Sequence, residues 1–304
     1  MVVIALFVVG CKKSAADPQK PLSAPDARPS PQATPTPFAP AKPKEILMSD
    51  IFNKEESLSY NGFKIAKLES IAKRSKSEQI EFSYAVIKKN GRVLAKFDSV
   101  RGGLMNATDI GLFPILGGKT KQLIISQTLP RAGRHWIVEL TPNPKVLFDS
   151  GDYEVGREEL WAVDLDGDGV YEIGMYVTSF YGAFDQLSVS ATPLPTVFFR
   201  YDKRAGRYLP ANHRFQDHLL EGIETEIKNL PTEISPLPSS AGELYLARRL
   251  DVLLQFIYAG KEKEGWEFFD KAYTLPDADK IKAIVKKELK NAPAYKFIRK
   301  RSSL

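Results

Sequence analysis

Asp164-Leu165-Asp166-Gly167-Asp168-Gly169-Val170-Tyr171-Glu172 is the stretch on which the fold turns. Carboxylates at alternate positions, with glycines at 167 and 169, curl a short loop so that acidic oxygens converge from one side. The runs on either side, 160–163 (LWAV) and 173–177 (IGMYV), are short, β-branched and aromatic. They predict two strands with the loop as the bend between them, where an EF-hand would place helices.

The same texture extends outward. From 60 to 209 the chain is cut by Gly, Pro and Asn into short apolar runs, which predict antiparallel strands at 63–68, 80–88, 92–98, 121–128, 135–140, 146–149, 160–164, 172–178, 187–191 and 196–201. Lys89-Asn90-Gly91-Arg92 reads as a tight hairpin turn, because Asn-Gly tolerates positive φ. Two stretches, 109–150 and 159–204, share one layout: a loop, a hydrophobic strand, a second strand, a proline turn and an aromatic strand. A period of about 50 residues suits a propeller blade or a four-stranded β unit, and three such units are too few to close a ring. The expectation for 46–210 is a β-rich antiparallel domain, either a partial propeller-like stack or a sandwich. After Pro210 the period becomes helical, with helices expected over 212–229, over 241–259, around Trp266–Tyr273 and from Pro276-Asp277 onward. The fold class expected is therefore multi-domain α+β, with a small all-α domain at 211–304.

The acidic loop also carries the strongest chemical signal. A hard cation such as Ca²⁺ takes six to eight oxygens. Asp164, Asp166 and Asp168 stand at loop positions 1, 3 and 5, the carbonyl of Val170 at 7 and Glu172 at 9, while position 12 is Met175 instead of a bidentate Glu. This pattern between strands resembles the calcium loops of FG-GAP and VCBS-type repeats, found in integrin-like β-propellers and bacterial surface proteins. The resemblance implies that these five residues hold a structural Ca²⁺ within a hairpin. A fully ligated ion has no open face for substrate, and no nucleophile or general base is marked beside it.

Composition bounds the rest. At 304 residues with 43% hydrophobic and 26% charged residues, the chain has the makings of a real core. One Cys and three His (His135, His213, His218) exclude a disulfide framework and a zinc cluster. Gly117-Gly118-Lys119-Thr120 falls short of a phosphate loop, since Phe113 stands where Walker A needs Gly and a strand follows where it needs a helix. Asp152, Glu154, Glu158 and Glu159 could pair for glycoside hydrolysis, but the spacing reads first as a solvated loop. Trp161, Phe180, Tyr181 and Phe184 offer either an aromatic platform for sugar or peptide, or core filling.

The N-terminus speaks to location. Residues 1–10, MVVIALFVVG, have the length of a signal-peptide apolar region and end at Cys11. Val8-Val9-Gly10-Cys11 resembles the lipobox of bacterial lipoproteins, which implies lipidation of Cys11, attachment to a membrane and, with Lys12 following, sorting to the outer membrane. Residues 12–45 hold nine of the 21 prolines and read as a disordered tether. The formal charge of +6 comes from the C-terminal end, because 271–304 balances at +7 and the remainder at −1. The helical hairpin around Tyr258-Ala259-Gly260 weakly resembles a tetratricopeptide-type unit. Together these features predict a lipid-anchored, calcium-binding protein of the bacterial cell envelope, facing the periplasm or the surface. It would act as a binding or scaffolding module for an envelope protein or glycan, and not on nucleic acid. The alternative is an envelope hydrolase acting on glycan or peptide, with calcium as structural support.

Overall fold

The computed structural model describes residues 45–53, 55–73, 79–97, 107–129, 132–156, 160–231 and 240–302. Cys11, the apolar leader, residues 12–44 of the tether, Glu158 and Glu159 lie outside the described residues. Lys42–Leu304 forms one compact unit.

Two short strands open it, β1 (Ile46–Leu47) and β2 (Phe52–Asn53). Three four-stranded antiparallel meanders follow in chain order. The first is β3 (Ser57–Tyr60), β4 (Phe63–Lys73), β5 (Gln79–Lys89) and β6 (Arg92–Phe97). The second is β7 (Ala107–Phe113), β8 (Gln122–Leu129), β9 (Ala132–Glu139) and β10 (Lys145–Asp149). The third is β11 (Trp161–Val163), β12 (Glu172–Tyr176), β13 (Thr196–Asp202) and β14 (Arg207–Pro210). β2 extends the second sheet beside β7 and β1 extends the third beside β11, and none of the sheets closes into a barrel. Asn90 and Gly91 both take positive φ (50° and 76°), which makes the β5–β6 connection the tight hairpin its sequence calls for.

Alternation along the strands shows how the sheets stack. In β8, Leu123 and Ile125 enter one core with Phe63, Ile65, Ala85 and Ile87 of the first sheet. Ile124, between them, enters the other core with Ile173, Met175, Val197 and Phe199 of the third sheet. β9 repeats the split, with Trp136 and Val138 on one side and Ile137 on the other. The second sheet is thus buried on both faces, which is why its strands read as continuous apolar runs. The third sheet splits likewise: Ala162, Val197 and Phe199 face inward, while Trp161, Val163 and Phe198 meet Ala211 and Phe215 on its far side.

The helices are α1 (Gln216–Leu219), α2 (Ile223–Lys228), α3 (Ser240–Tyr258), α4 (Glu262–Ala272), α5 (Ala278–Asn291) and α6 (Pro293–Ser302). Strand gives way to helix just after Pro210, and the core runs across the change. Leu250, Leu254, Tyr258, Phe269, Ile281 and Tyr295 share one cluster with Phe148, Phe199 and Tyr208. Arg249 pins this layer: it is buried and donates to the carbonyls of Tyr245 (2.9 Å), Pro231 and Ala272 (2.6 Å each). The architecture is mixed α+β with antiparallel sheets.

Some elements differ from expectation. Residues 187–191 form no strand; Val189–Ala191 is a 3-10 turn, closed by Thr192 Oγ1 donating to the Ser188 carbonyl, and Pro193 and Pro195 then deny a ladder. The helix expected over 212–229 is broken by Gly222 at φ 83° into α1 and α2. Residues 109–112, expected as loop, lie in β7, and β1, β2, β3 and β14 had no predicted counterpart.

Candidate metal centre

The acidic loop joins β11 to β12, as its flanks predict. Gly167 and Gly169 stand at φ 71° and 79°, a left-handed backbone that carries the chain through the curl. One carboxylate oxygen each from Asp164, Asp166 and Glu172 lie within 4.8 Å of one another. Asp168 stands outside that trio: its Oδ1 accepts from the Val170 amide at 2.8 Å, and its Oδ2 faces Arg200. Of Val170 the structure gives only this donated hydrogen bond.

Burial grades the three acids. Asp166 is exposed, Asp164 half-buried and Glu172 fully buried. Glu172 Oε2 accepts from the Leu165 amide at 2.9 Å and Asp164 Oδ2 from the Gly169 amide at 3.1 Å, so one oxygen of each closes the loop on itself. The other oxygens, Glu172 Oε1 and Asp164 Oδ1, are buried and accept no hydrogen bond. Burial, reinforced by the neighbouring negative charges of Asp166 and Asp168, raises the Glu172 pKa to about 7 against the opposing pull of the Leu165 amide and Arg200.

Sequence reasoning missed Arg200. The register Ile173↔Phe199 carries it next to Glu172 across β12 and β13. Its Nη2 lies 2.7 Å from both Asp166 Oδ2 and Asp168 Oδ2, and its Nε 3.4 Å from Glu172 Oε1, an ion pair without hydrogen-bond geometry. A lone cation inside the aromatic strand TVFFRYD was the only available signal.

The loop is buttressed from below. The Tyr171 amide donates to the Ile115 carbonyl at 2.9 Å, and the Tyr171 ring meets Phe113 edge-on at 5.2 Å. Tyr208, fully buried, donates its hydroxyl to the Tyr171 carbonyl at 3.1 Å. The turn at Gly117-Gly118, which connects β7 to β8 as a hairpin, approaches so closely that a Cβ on Gly117 would strike the Gly169 carbonyl oxygen.

Donor chemistry tests whether a metal fits. The set is all oxygen, its buried members carry acceptors with nothing to accept, and the surplus negative charge is only partly met by one guanidinium. These are the terms of a hard divalent cation. The residues present fit such an ion, with Asp164, Asp166 and Glu172 able to hold it.

The other carboxylates are placed differently. Asp152 pairs with Arg207 at 3.1 Å, and Glu154 accepts from Ser179 at 2.9 Å, so the two are engaged separately. Phe180 and Phe184 are buried in the main core and Trp161 packs against Tyr176 and Phe198, which makes them core filling. A second candidate lies between α2, α3 and β13, where a cleft of about 610 Å³ is lined by Glu226, Arg248 and Asp251. Burial, with the Glu226 charge adding, raises the Asp251 pKa to about 6, opposed by Arg248. No described helix is long and apolar enough to cross a membrane. The chain matches no family model, no curated protein and no solved structure.

Proposed function

We propose that this chain is a calcium-binding module of a bacterial cell envelope, held there by a lipid on Cys11 and acting as a binding or scaffolding unit. The observation that carries the ion is the Glu172 carboxylate: fully buried, with Oε1 accepting no hydrogen bond, and with one of its oxygens within 4.8 Å of oxygens of Asp164 and Asp166. An ionised carboxylate in that position is costly unless positive charge meets it, and Arg200, shared with Asp166 and Asp168, meets it only in part. Ca²⁺ suits the site better than Mg²⁺, because a curled loop of uneven depth offers irregular oxygen geometry where Mg²⁺ demands a near-ideal octahedron.

In this reading the three meanders are propeller-like blades in a partial stack. The ion ties the end of β11 to the start of β12, and through the Gly117 contact it stiffens the junction with the second meander. Its role is structural, and for Val170 and Asp168 to complete the shell as in FG-GAP and VCBS loops Asp168 must first be released by Arg200. The test is a thermal melt of the full chain in Ca²⁺, in Mg²⁺ and in chelator. Ca²⁺ should raise the midpoint, and Asp166→Ala should remove the rise. No rise in the parent protein would sink the ion reading. The anchor is tested apart from it, by membrane fractionation of Cys11→Ser after a high-salt wash, where the expected outcome is release.

One observation favours the alternative, a hydrolase on glycan or peptide. A carboxyl kept partly protonated near neutral pH, in a cleft beside a second carboxylate, is the equipment of a general acid, and Asp251 with Glu226 answers to it. Turnover of cell-wall glycan or peptide that Asp251→Asn abolishes would establish that activity.

A further inference from the structure

Half of the ten C-terminal cations in 271–304 meet on one concave surface. Lys286 and Lys290 of α5 with Lys296, Arg299 and Lys300 of α6 line a groove of about 910 Å³. Its floor is apolar and aromatic, formed by the nearly buried Leu289 and Tyr295. The lining holds five cations against one acid, Glu262, whose Oε2 accepts from the Tyr295 hydroxyl at 2.8 Å and Oε1 from Trp266 Nε1 at 3.3 Å.

Two other lysines of α5 have carboxylate partners. Lys282 pairs with Asp270 at 2.7 Å and Lys287 lies 3.4 Å from Glu288. Among the described residues no carboxylate pairs with Lys290, Lys296 or Lys300. Lysines left together without counter-charge, next to others that have it, mark a surface selected for an external anion.

We infer that this groove is the face by which the folded body rests on an anionic bilayer, its lysines meeting lipid phosphates. Two features select a lipid surface over other polyanions. Four of the five groove cations are Lys, compact point charges on flexible stems that adapt to a fluid array of phosphates; bidentate reading of nucleic acid or a fixed carboxylate draws on Arg. The five cations come from two consecutive helices, α5 and α6, and form a compact patch where a long polyanion would need an extended track. The inference is consistent with the proposed anchor, which would keep the bilayer within reach, but the groove is a separate contact and its test needs no acyl chain.

The full chain carrying Cys11→Ser is sedimented with phosphatidylcholine vesicles and with vesicles containing phosphatidylglycerol. Binding is expected to the anionic vesicles alone and to vanish in high salt. In that background Lys290→Glu with Lys296→Glu and Lys300→Glu should weaken it about tenfold or more. The milder triple change to Gln, which preserves helix propensity, should weaken it to a lesser degree while leaving the melting midpoint unchanged. Equal binding to neutral vesicles, or no loss in either triple variant, overturns the inference. So does binding of polyglutamate or duplex DNA in the absence of vesicle binding. Failure here leaves the anchor standing, since that is read from fractionation of Cys11→Ser in cells.

Discussion

Arg200 Nη2 sits 2.7 Å from Asp166 Oδ2, so the oxygen that a metal would claim is held by a cation the chain supplies itself. The guanidinium also reaches Asp168 and Glu172, and it partly answers the repulsion among acids drawn together by the loop. An entering divalent ion must compete with it at Asp166. Arg200→Met is therefore expected to tighten Ca²⁺ binding about fivefold, the equivalent of about 1 kcal/mol for a part-exposed ion pair. The ion-free protein should melt lower, because the acids then lack any counter-charge. Isothermal titration decides the first point, and an unchanged affinity would show that the guanidinium does not contest the site.

Glu172 separates a metal ligand from a structural acid. Glu172→Gln keeps size and an acceptor for the Leu165 amide while removing the charge. The ion-free variant should melt no lower than the parent, since burial already disfavours the ionised form. Its Ca²⁺-dependent rise in melting midpoint should disappear. A variant that keeps the rise would place the ion, if any, on Asp164 and Asp166 without Glu172.

What the sequence revealed about this site was what is local. Alternating acids, the left-handed glycines at 167 and 169 and the strand-like flanks are fixed within nine residues, and the loop sits where they place it. The same holds for the Asn90-Gly91 turn and for α3, whose apolar residues recur at helical spacing. Arg200 was illegible because it lies 34 residues from Asp166 and meets it only through strand pairing. Gly117 and Tyr208 reach the loop the same way, from other turns of the chain. β1 and β2 are two residues each and exist because β11 and β7 offer them edges, a tertiary cause with no periodic trace. Residues 187–191 carried a strand-like alternation, but serine hydroxyls and flanking prolines closed a turn there instead.

Two adjacent glycines measure how tightly the β7–β8 turn supports the acidic loop. Gly117 and Gly118 share positive φ (77° and 69°), so Ala at either one carries a similar left-handed penalty of about 1 kcal/mol. A Cβ on Gly118 meets nothing within 4 Å, whereas one on Gly117 would strike the Gly169 carbonyl oxygen. Gly118→Ala should thus cost only the backbone penalty. Gly117→Ala should cost about 2 kcal/mol or more and weaken Ca²⁺ binding by displacing Gly169. Chemical denaturation of both variants with and without Ca²⁺ checks the pair, and equal losses would mean that the turn yields without disturbing the loop.

Asp251 gives the fold a pH signature that overlaps the one Glu172 contributes in the acidic loop. The Asp251 carboxyl is raised from the ordinary 3.8 to about 6, first by burial and then by Glu226. A carboxyl that holds its proton more tightly in the fold favours the folded state while protonated, and that advantage is lost as pH rises from about 4 through about 6. A roughly hundredfold gain in proton affinity on folding is worth about 3 kcal/mol, and solvent screening at this half-buried side chain reduces the expected loss to about 1 to 2 kcal/mol. Asp251→Asn, neutral at every pH, should make the fall across that window shallower, leaving the share that belongs to Glu172, and melt higher than the parent at pH 8. Denaturation midpoints recorded from pH 4 to 8 test this. Parallel profiles for parent and variant through the window would mean that Asp251 ionises freely, and the case for a general acid in the cleft would fall with it.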